Sequence, residues 1–435
     1  MAIETIGQAT AASSRDLLGV PVAERGFSSK PPHGFLEDFT FARLFAPVAE
    51  ETFRTRHWEQ MPLIVHRANR CYYGDLFSLQ DFEETIARAP SYWMLDEAKQ
   101  NRMAKREAAS GPGLERVLAD LRDGATIHLN HVEQFEPKLG LLCRLLGQQL
   151  GYRFQTNLYL TPPEGQGFRP HWDNHDVFIL QVVGSKRWQV EKQRRRLPGR
   201  GETMGEDEGR VVAPDAHSFD LDQGDAIYSP RGFVHAAKCG SEPSLHITLG
   251  IHPQTWEDLL FSIVRAAVHE DERLRRALPL GFMQNGNDRL VMGAQAVLSK
   301  LAEHGFLNAV VDRFQDELVT KAPLDISGQI TALLQPAPLT AEDVVGVRPG
   351  IVYRIHAVEP NIRLNFGGRV ILFPGFFKVS LDFALQTKTY AVRDIAGDLE
   401  DEEKIVFVER LIEEGLVVRK QDLARTALPR RHPKV

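Results

Sequence analysis

The spacing of apolar positions changes several times along this chain, and each change predicts a different kind of element. Residues 1–32 are rich in Ala, Ser, Gly and Pro, end in Ser28-Ser29-Lys30-Pro31-Pro32 and lack apolar periodicity, which predicts a flexible leader. From Phe35 the spacing is helical. After Pro62 it turns into the apolar run Leu63-Ile64-Val65 of a strand. The aromatic cluster Tyr72-Tyr73-Gly74-Asp75-Leu76-Phe77 reads as core beside that sheet. Strands over 126–132 and 153–161 flank a helix that contains Leu139 and Leu150, and 177–190 reads as two apolar strands broken by a Gly-containing turn. Gly224-Asp225 turns the chain into one more strand, whose exit Pro230 and Gly232 shape. Together these segments predict a small β-barrel with a ligand in its mouth.

After Pro253 the pattern becomes helical again, over 256–267 and 298–318. Leu334-Gln335-Pro336-Ala337-Pro338 has the composition of a linker. Beyond it, strands are predicted at 351–356, 362–365 and 370–373, helices at 392–396 and 402–414, and a last strand at 416–419. Arg430-Arg431-His432-Pro433-Lys434 forms a short basic tail.

With 435 residues the chain exceeds what one hydrophobic core usually supports, so two or three domains are expected. A formal charge of −6 supplies no global basic field, which argues against nucleic acid as the main partner. Three widely separated cysteines, Cys71, Cys143 and Cys239, form neither a disulfide framework nor a metal motif, and a reducing cytoplasm fits them. Met1-Ala2-Ile3-Glu4-Thr5 has no basic start or apolar core, and no stretch reaches the roughly 18 apolar residues of a membrane span.

The chemistry concentrates in two segments. In an extended strand, residues two apart share a face, so His171 and Asp173 of Pro170-His171-Trp172-Asp173 reach one metal ion together. His235, closing Pro230-Arg231-Gly232-Phe233-Val234-His235, supplies a third ligand, and two imidazoles with one carboxylate make the facial triad of non-heme Fe(II). In Thr156-Asn157-Leu158-Tyr159-Leu160, Asn157 and Tyr159 share a face that lines either a pocket or ordinary half-exposed surface. Lys186 stands near the turn, where alternation alone leaves its direction open. Thr248 and His246 share a parity that places both toward the pocket, whereas His175, His217 and His252 read as packing, surface or supporting residues. The charged stretch 192–208 has a basic half and an acidic half, and reads either as a solvated loop or as a landing patch for an acidic partner.

The segments PHWDNHDVFILQVVGSKRWQV, GDAIYSPRGFVHAA and SLHITLG resemble those of the JmjC/cupin-type ribosomal oxygenases, which are Fe(II)- and 2-oxoglutarate-dependent protein hydroxylases. The order of elements agrees with that family over roughly residues 35 to 425. The resemblance implies a mainly β plus α fold. A double-stranded β-helix of the jelly-roll or cupin type occupies 33–253, a helical dimerisation module 254–334, and a winged-helix-like domain 335–425, before the basic tail at 426–435.

The resemblance also implies Fe(II), 2-oxoglutarate and O2 at the site. Lys186 and Thr248 would bind the cosubstrate, and Asn157 and Tyr159 the substrate. The implied substrate is an Arg or His side chain of a ribosomal protein and the implied assembly a homodimer. Gly250 departs from the pocket Ser of histidyl hydroxylases, which puts histidine recognition in doubt and keeps precursor peptides and N-methyl groups open. Two other readings remain, a non-redox cupin module and a winged-helix DNA-binding regulator. Against the second, Glu400-Asp401-Glu402-Glu403 at the start of the recognition helix would repel phosphates.

Overall fold

The computed structural model describes residues 34–96, 102–107, 111–205, 212–284, 287–335 and 337–422. The expected leader, the tip of the charged loop at 206–211 and the basic tail lie outside the described residues. The chain divides into two compact units, 34–252 and 253–422 within the described residues.

In the first unit, Pro62 ends the helical opening and the chain enters β1 (Leu63–Val65). Then follow α1 (Leu79–Arg88), β2 (Ser91–Asp96), β3 (Arg102–Glu107), α2 (Gly111–Arg122), β4 (Thr126–Leu129) and α3 (Pro137–Leu150). Ser78 starts α1 by accepting a hydrogen bond from the Asp81 amide, and Gly151, at φ 71°, ends α3 in the left-handed conformation. Six further strands follow α3. They are β5 (Arg153–Thr161), β6 (Asp176–Gln193), β7 (His217–Asp222), β8 (Ala226–Ser229), β9 (Phe233–Lys238) and β10 (Ser244–His252) with β1 as the remaining wall.

The strands pair antiparallel in the order β1-β8-β6-β10-β5-β4-β2-β3, and β7 and β9 join the second half of β6. Alternation on β10 sends Leu245, Ile247 and Leu249 to one face, where they meet Leu158, Phe178 and Leu180 and the α3 residues Leu139, Leu142 and Leu146. Burying each such side chain contributes about 1.5–3 kcal/mol. Tyr73, Leu76 and Phe77 belong to the same core, as their sequence context predicts. A smaller core of Ile64, Val177, Ile179, Trp188, Val190, Leu221 and Phe233 forms on the other side of β6. The first half of β6 is thus covered on both faces, which explains its unbroken apolar run.

One expectation is corrected here. Residues 177–190 are not two strands joined by a turn but part of the single 18-residue strand β6. Gly184 lies within it at φ 64°, and a side chain at that position would strike the Pro243 carbonyl oxygen. The glycine bends the strand instead of reversing it, so β6 leaves β8 and β10 and continues along β7 and β9. Because β6 runs to Gln193, Lys192 also belongs to a strand and not to the charged loop.

The second unit opens with α4 (Trp256–Glu270), started by a capping box in which the Thr255 hydroxyl and the Asp258 carboxylate each accept the other's backbone amide. The run 298–318 spans two helices, α5 (Asp288–Leu301) and α6 (His304–Lys321), separated where Glu303 turns extended. Apolar spacing continues across that short interruption, which is why it reads as one helix. After α7 (Gln329–Leu334) come β11 (Val344–Val347), β12 (Tyr353–Val358), β13 (Asn361–Phe366), β14 (Arg369–Pro374), α8 (Lys378–Gln386), β15 (Tyr390–Ala391), α9 (Asp401–Glu413) and β16 (Val417–Arg419).

These strands form two three-stranded sheets, β12-β13-β14 and β15-β11-β16, around a core that includes Leu364, Phe366, Leu381, Phe407 and Leu411. The helix expected at 392–396 is a single 3-10 turn, Val392–Asp394, and α8 is an additional helix. Asp316 of α6 accepts hydrogen bonds from Arg354 and His356 of β12, each at 2.8 Å, and from Arg363 of β13 at 3.1 Å.

Substituting Gly184→Val adds both backbone strain and a clash with main chain, and is expected to destabilise the first unit by about 2–4 kcal/mol. Urea unfolding followed by tryptophan fluorescence measures this, and a loss below about 1 kcal/mol would contradict the bend.

Candidate metal centre and the pocket beside it

The two motif segments meet through their main chains. The His171 amide donates to the His235 carbonyl at 3.1 Å, and the His235 amide returns the bond at 2.8 Å. The Gly232 amide donates to the Asp173 carbonyl at 3.0 Å. The turn that carries Gly232 is pinned by Arg231, whose guanidinium donates to Asp176 at 2.8 Å and to Glu59 at 2.6 Å, while its amide donates to Asp176 at 2.8 Å.

This lacing brings one ligand atom each from His171, Asp173 and His235 within 4.8 Å of one another. The imidazole centroids are 4.6 Å apart, and His235 Nε2 stands 3.7 Å from Asp173 Oδ2. Each imidazole is also oriented. Nδ1 of His171 lies 2.8 Å from the Arg169 carbonyl and Nδ1 of His235 lies 3.1 Å from the Phe233 carbonyl. A carbonyl only accepts, so Nδ1 carries the proton in both rings and Nε2 keeps its lone pair for an ion. Burial, aided by His171, pushes the His235 imidazole down to about 4, so at neutral pH no proton competes with a metal there. Two imidazoles and one carboxylate fit a facial triad for a divalent transition metal such as Fe(II).

Lys186 points into the barrel beyond its bend and is 4% exposed. Its ammonium donates to the Thr161 hydroxyl at 2.9 Å, and Thr161 shares a hydrogen bond of 3.0 Å with Thr126. No ion pair with Lys186 occurs among the described residues. Burial lowers its ammonium to about 8. A buried cation without a counter-ion is costly unless an anion joins it.

The β5–β10 register sets Tyr159 opposite His246, Asn157 opposite Thr248 and Gln155 opposite Gly250. Asn157 Oδ1 accepts from the His131 amide at 3.1 Å. Tyr159 is stacked between His128 at 4.1 Å and His246 at 4.9 Å, and burial, with the Asp173 charge adding, raises its phenol far above the usual range. His246 is therefore a stacking partner on the pocket wall and stands outside the three-ligand cluster. His175 stacks on His252 at 5.0 Å, and His252 Nε2 lies 3.0 Å from Gln155 Oε1. A Cβ at Gly250 would sit 3.0 Å from both Gln155 Cγ and His175 Cδ2, so this cluster occupies the space a side chain there would need. His217 stacks on Phe219, away from the triad. Thr161, Thr126, His128, Trp188 and Arg231 were not among the candidates read from sequence, although Thr161 continues the parity of Asn157 and Tyr159.

A family model described as a JmjC domain matches residues 128–259. The chain is similar to ribosomal oxygenase 1 of Rattus norvegicus, 33% identical over 276 residues, which covers 60% of this chain and 44% of that protein. It is similar as well to ribosomal oxygenase 2 of Mus musculus, 28% identical over 389 residues, covering 84% of this chain and 80% of that one. The chain spans about half the length of the ribosomal oxygenase 1 relatives it matches. Among solved structures, the fold resembles that of YcfD, a ribosomal oxygenase from Escherichia coli in complex with cobalt and 2-oxoglutarate. The TM-score is 0.54 at 15% identity, over 86% of this chain and 99% of that one.

Anaerobic titration of the full chain with Fe(II) or Mn(II) is expected to show one equivalent bound. His171→Ala or His235→Ala should weaken it at least tenfold with the fold retained by circular dichroism. Unchanged affinity in both variants would remove the triad.

Proposed function

The chain belongs to the JmjC family of ribosomal oxygenases, and on that premise we propose that it is an Fe(II)- and 2-oxoglutarate-dependent oxygenase that hydroxylates a protein side chain. The observation that carries this reading is the pairing of two features inside one barrel. One is the His171–Asp173–His235 cluster with both imidazoles oriented from behind, and the other is the buried, uncompensated Lys186. A metal-binding module without a cosubstrate would gain nothing from an isolated interior ammonium, which disfavours the non-redox cupin reading.

When bound, the iron and 2-oxoglutarate supply the activation of O2 for C–H hydroxylation, with succinate and CO2 as coproducts. The chain's own residues bind and orient. Lys186 neutralises the distal carboxylate of the cosubstrate, helped by the Thr161 hydroxyl, in an interior where exclusion of water strengthens the ion pair. Thr248 lies on the same wall. Asn157 and Tyr159 face the substrate, Tyr159 as a neutral phenol.

An Arg or His of a ribosomal protein is the proposed target. The crowding at Gly250 favours arginine, because Gln155 and His175 fill the place from which a short pocket side chain would meet an imidazole. The proposed setting is the cytoplasm, in accord with three free thiols and with the finding that no described helix is long and apolar enough to cross a membrane.

In the second unit, 254–334 is proposed as the dimerisation module. Trp256, Leu260, Phe261 and Val264 form an exposed apolar stripe along α4, and Trp256 is 81% exposed. The part from 335 to 425 is proposed as a winged-helix-like domain that presents substrate. The acidic first turn of α9, with Asp401, Glu402 and Glu403, disfavours nucleic acid there.

Purified protein loaded anaerobically with Fe(II), then given O2, 2-oxoglutarate and a ribosomal protein extract, should form succinate and add an oxygen-sized mass to one protein. Lys186→Ala should cut succinate formation at least a hundredfold at low 2-oxoglutarate, and absence of both products in the wild type would refute the oxygenase reading. Sedimentation of the wild type should give a dimer, and Trp256→Glu with Phe261→Glu a monomer. A wild-type monomer at micromolar concentration would exclude the dimer.

A further inference from the structure

Polar atoms enclosed in a protein interior nearly always have partners, so a cluster of exceptions along one pocket calls for a physical explanation. In the first unit four ring nitrogens are exceptions among the described residues, and three of them, Nε1 of Trp188, Nδ1 of His246 and Nε2 of His128, belong to rings linked by aromatic contacts along the pocket. All three side chains are more than nine-tenths buried. Trp188 and Lys186 lie two apart on β6 and share its inward face, while Arg187 between them faces out. The Trp188 ring stands 6.0 Å from His235 and 5.7 Å from His246. His246 in turn lies close enough to Lys186 to feel its charge. The indole therefore sits between the metal end of the pocket and its lysine end.

We propose that the Trp188 indole N–H and His246 Nδ1 are positioning groups for the dicarboxylate cosubstrate, in addition to Lys186 and Thr161; this rests on the oxygenase reading. The chemistry of the donors selects the ligand. An indole N–H only donates, so the partner of Trp188 must be an acceptor, and a carboxylate next to a buried ammonium is the acceptor the surroundings favour. A carboxylate offers about four lone-pair sites, of which Lys186 and Thr161 take two. His246 completes the set as a neutral imidazole, since burial and the neighbouring Lys186 both oppose its protonation. Trp172 sharpens the contrast. Its Nε1 is also without a partner, but no ring contact joins it to Tyr159, His235 or His246 among the described residues.

The test is equilibrium binding, without turnover. The full chain is loaded with Mn(II) under nitrogen and titrated with 2-oxoglutarate by calorimetry, with Mn(II) affinity measured separately. Trp188→Phe, which keeps the ring and removes the N–H, and His246→Leu should each weaken 2-oxoglutarate about tenfold while leaving Mn(II) affinity unchanged. His246→Asn, which retains a nitrogen donor near the position of Nδ1, should stay within about threefold of wild type. Equal losses in the Asn and Leu variants would mean that His246 only packs, and would overturn its assignment. If Lys186→Gln loses binding but Trp188→Phe and His246→Leu match the wild type, the inference fails and the oxygenase reading stands. A wild type that does not bind 2-oxoglutarate overturns both. Should His246→Leu fail to fold, Trp188→Phe alone decides.

Discussion

Two reciprocal main-chain hydrogen bonds between His171 and His235 are the constraint on which the site depends. They join segments more than sixty residues apart into one antiparallel bridge, and so bring the three ligand atoms together. The side chains add only the last adjustment. Each imidazole is turned by a carbonyl two residues upstream, Arg169 for His171 and Phe233 for His235. A centre laced by backbone is insensitive to rotamer choice elsewhere.

The barrel interior combines this centre with an unusual economy of charge. Burial opposes protonation of His128, His235 and His246 alike, and keeps Tyr159 an intact phenol. Lys186 beside them is held by the Thr161 hydroxyl, and among the described residues no carboxylate pairs with it. Low dielectric makes that arrangement unfavourable alone and strongly attractive to an anion. The buried pair Arg231–Asp176, by contrast, is fully matched and serves the turn ahead of His235. The same physics thus separates a charge matched within the scaffold from one that has no counter-ion among the described residues.

How much of this was legible in the residues depends on the range of the physics involved. His171, Asp173 and His235 were readable because donor type and motif context are local, although the strand expected at 171–173 is only an isolated bridge at His171. Asn157 and Tyr159 were readable as a shared face because strand alternation is local, and Thr161 could have been added by extending that parity one step. Lys186 was not readable from its neighbours. Its direction depends on Gly184, and in sequence a glycine that bends a strand looks the same as one that reverses it. The choice between the two is made by the Pro243 carbonyl, which lies about sixty residues further along the chain. The helical run at 298–318 failed for a related reason, since period alone does not register one extended residue between two helices.

The sequence by itself determined the kinds of elements, the three metal-type residues and the change from a strand-rich unit to a helical one, because each of these follows from local periodicity and donor chemistry. Only the tertiary structure decided what the interior residues do. It turned Lys186 inward without a counter-ion, stacked Tyr159 between two neutral histidines, packed Gln155 and His175 over Gly250 and left Trp188 and His246 each with an unmatched nitrogen. Those properties are set by which groups stand opposite one another and by the exclusion of water between them. Both are consequences of register and packing, and neither is encoded at any single position.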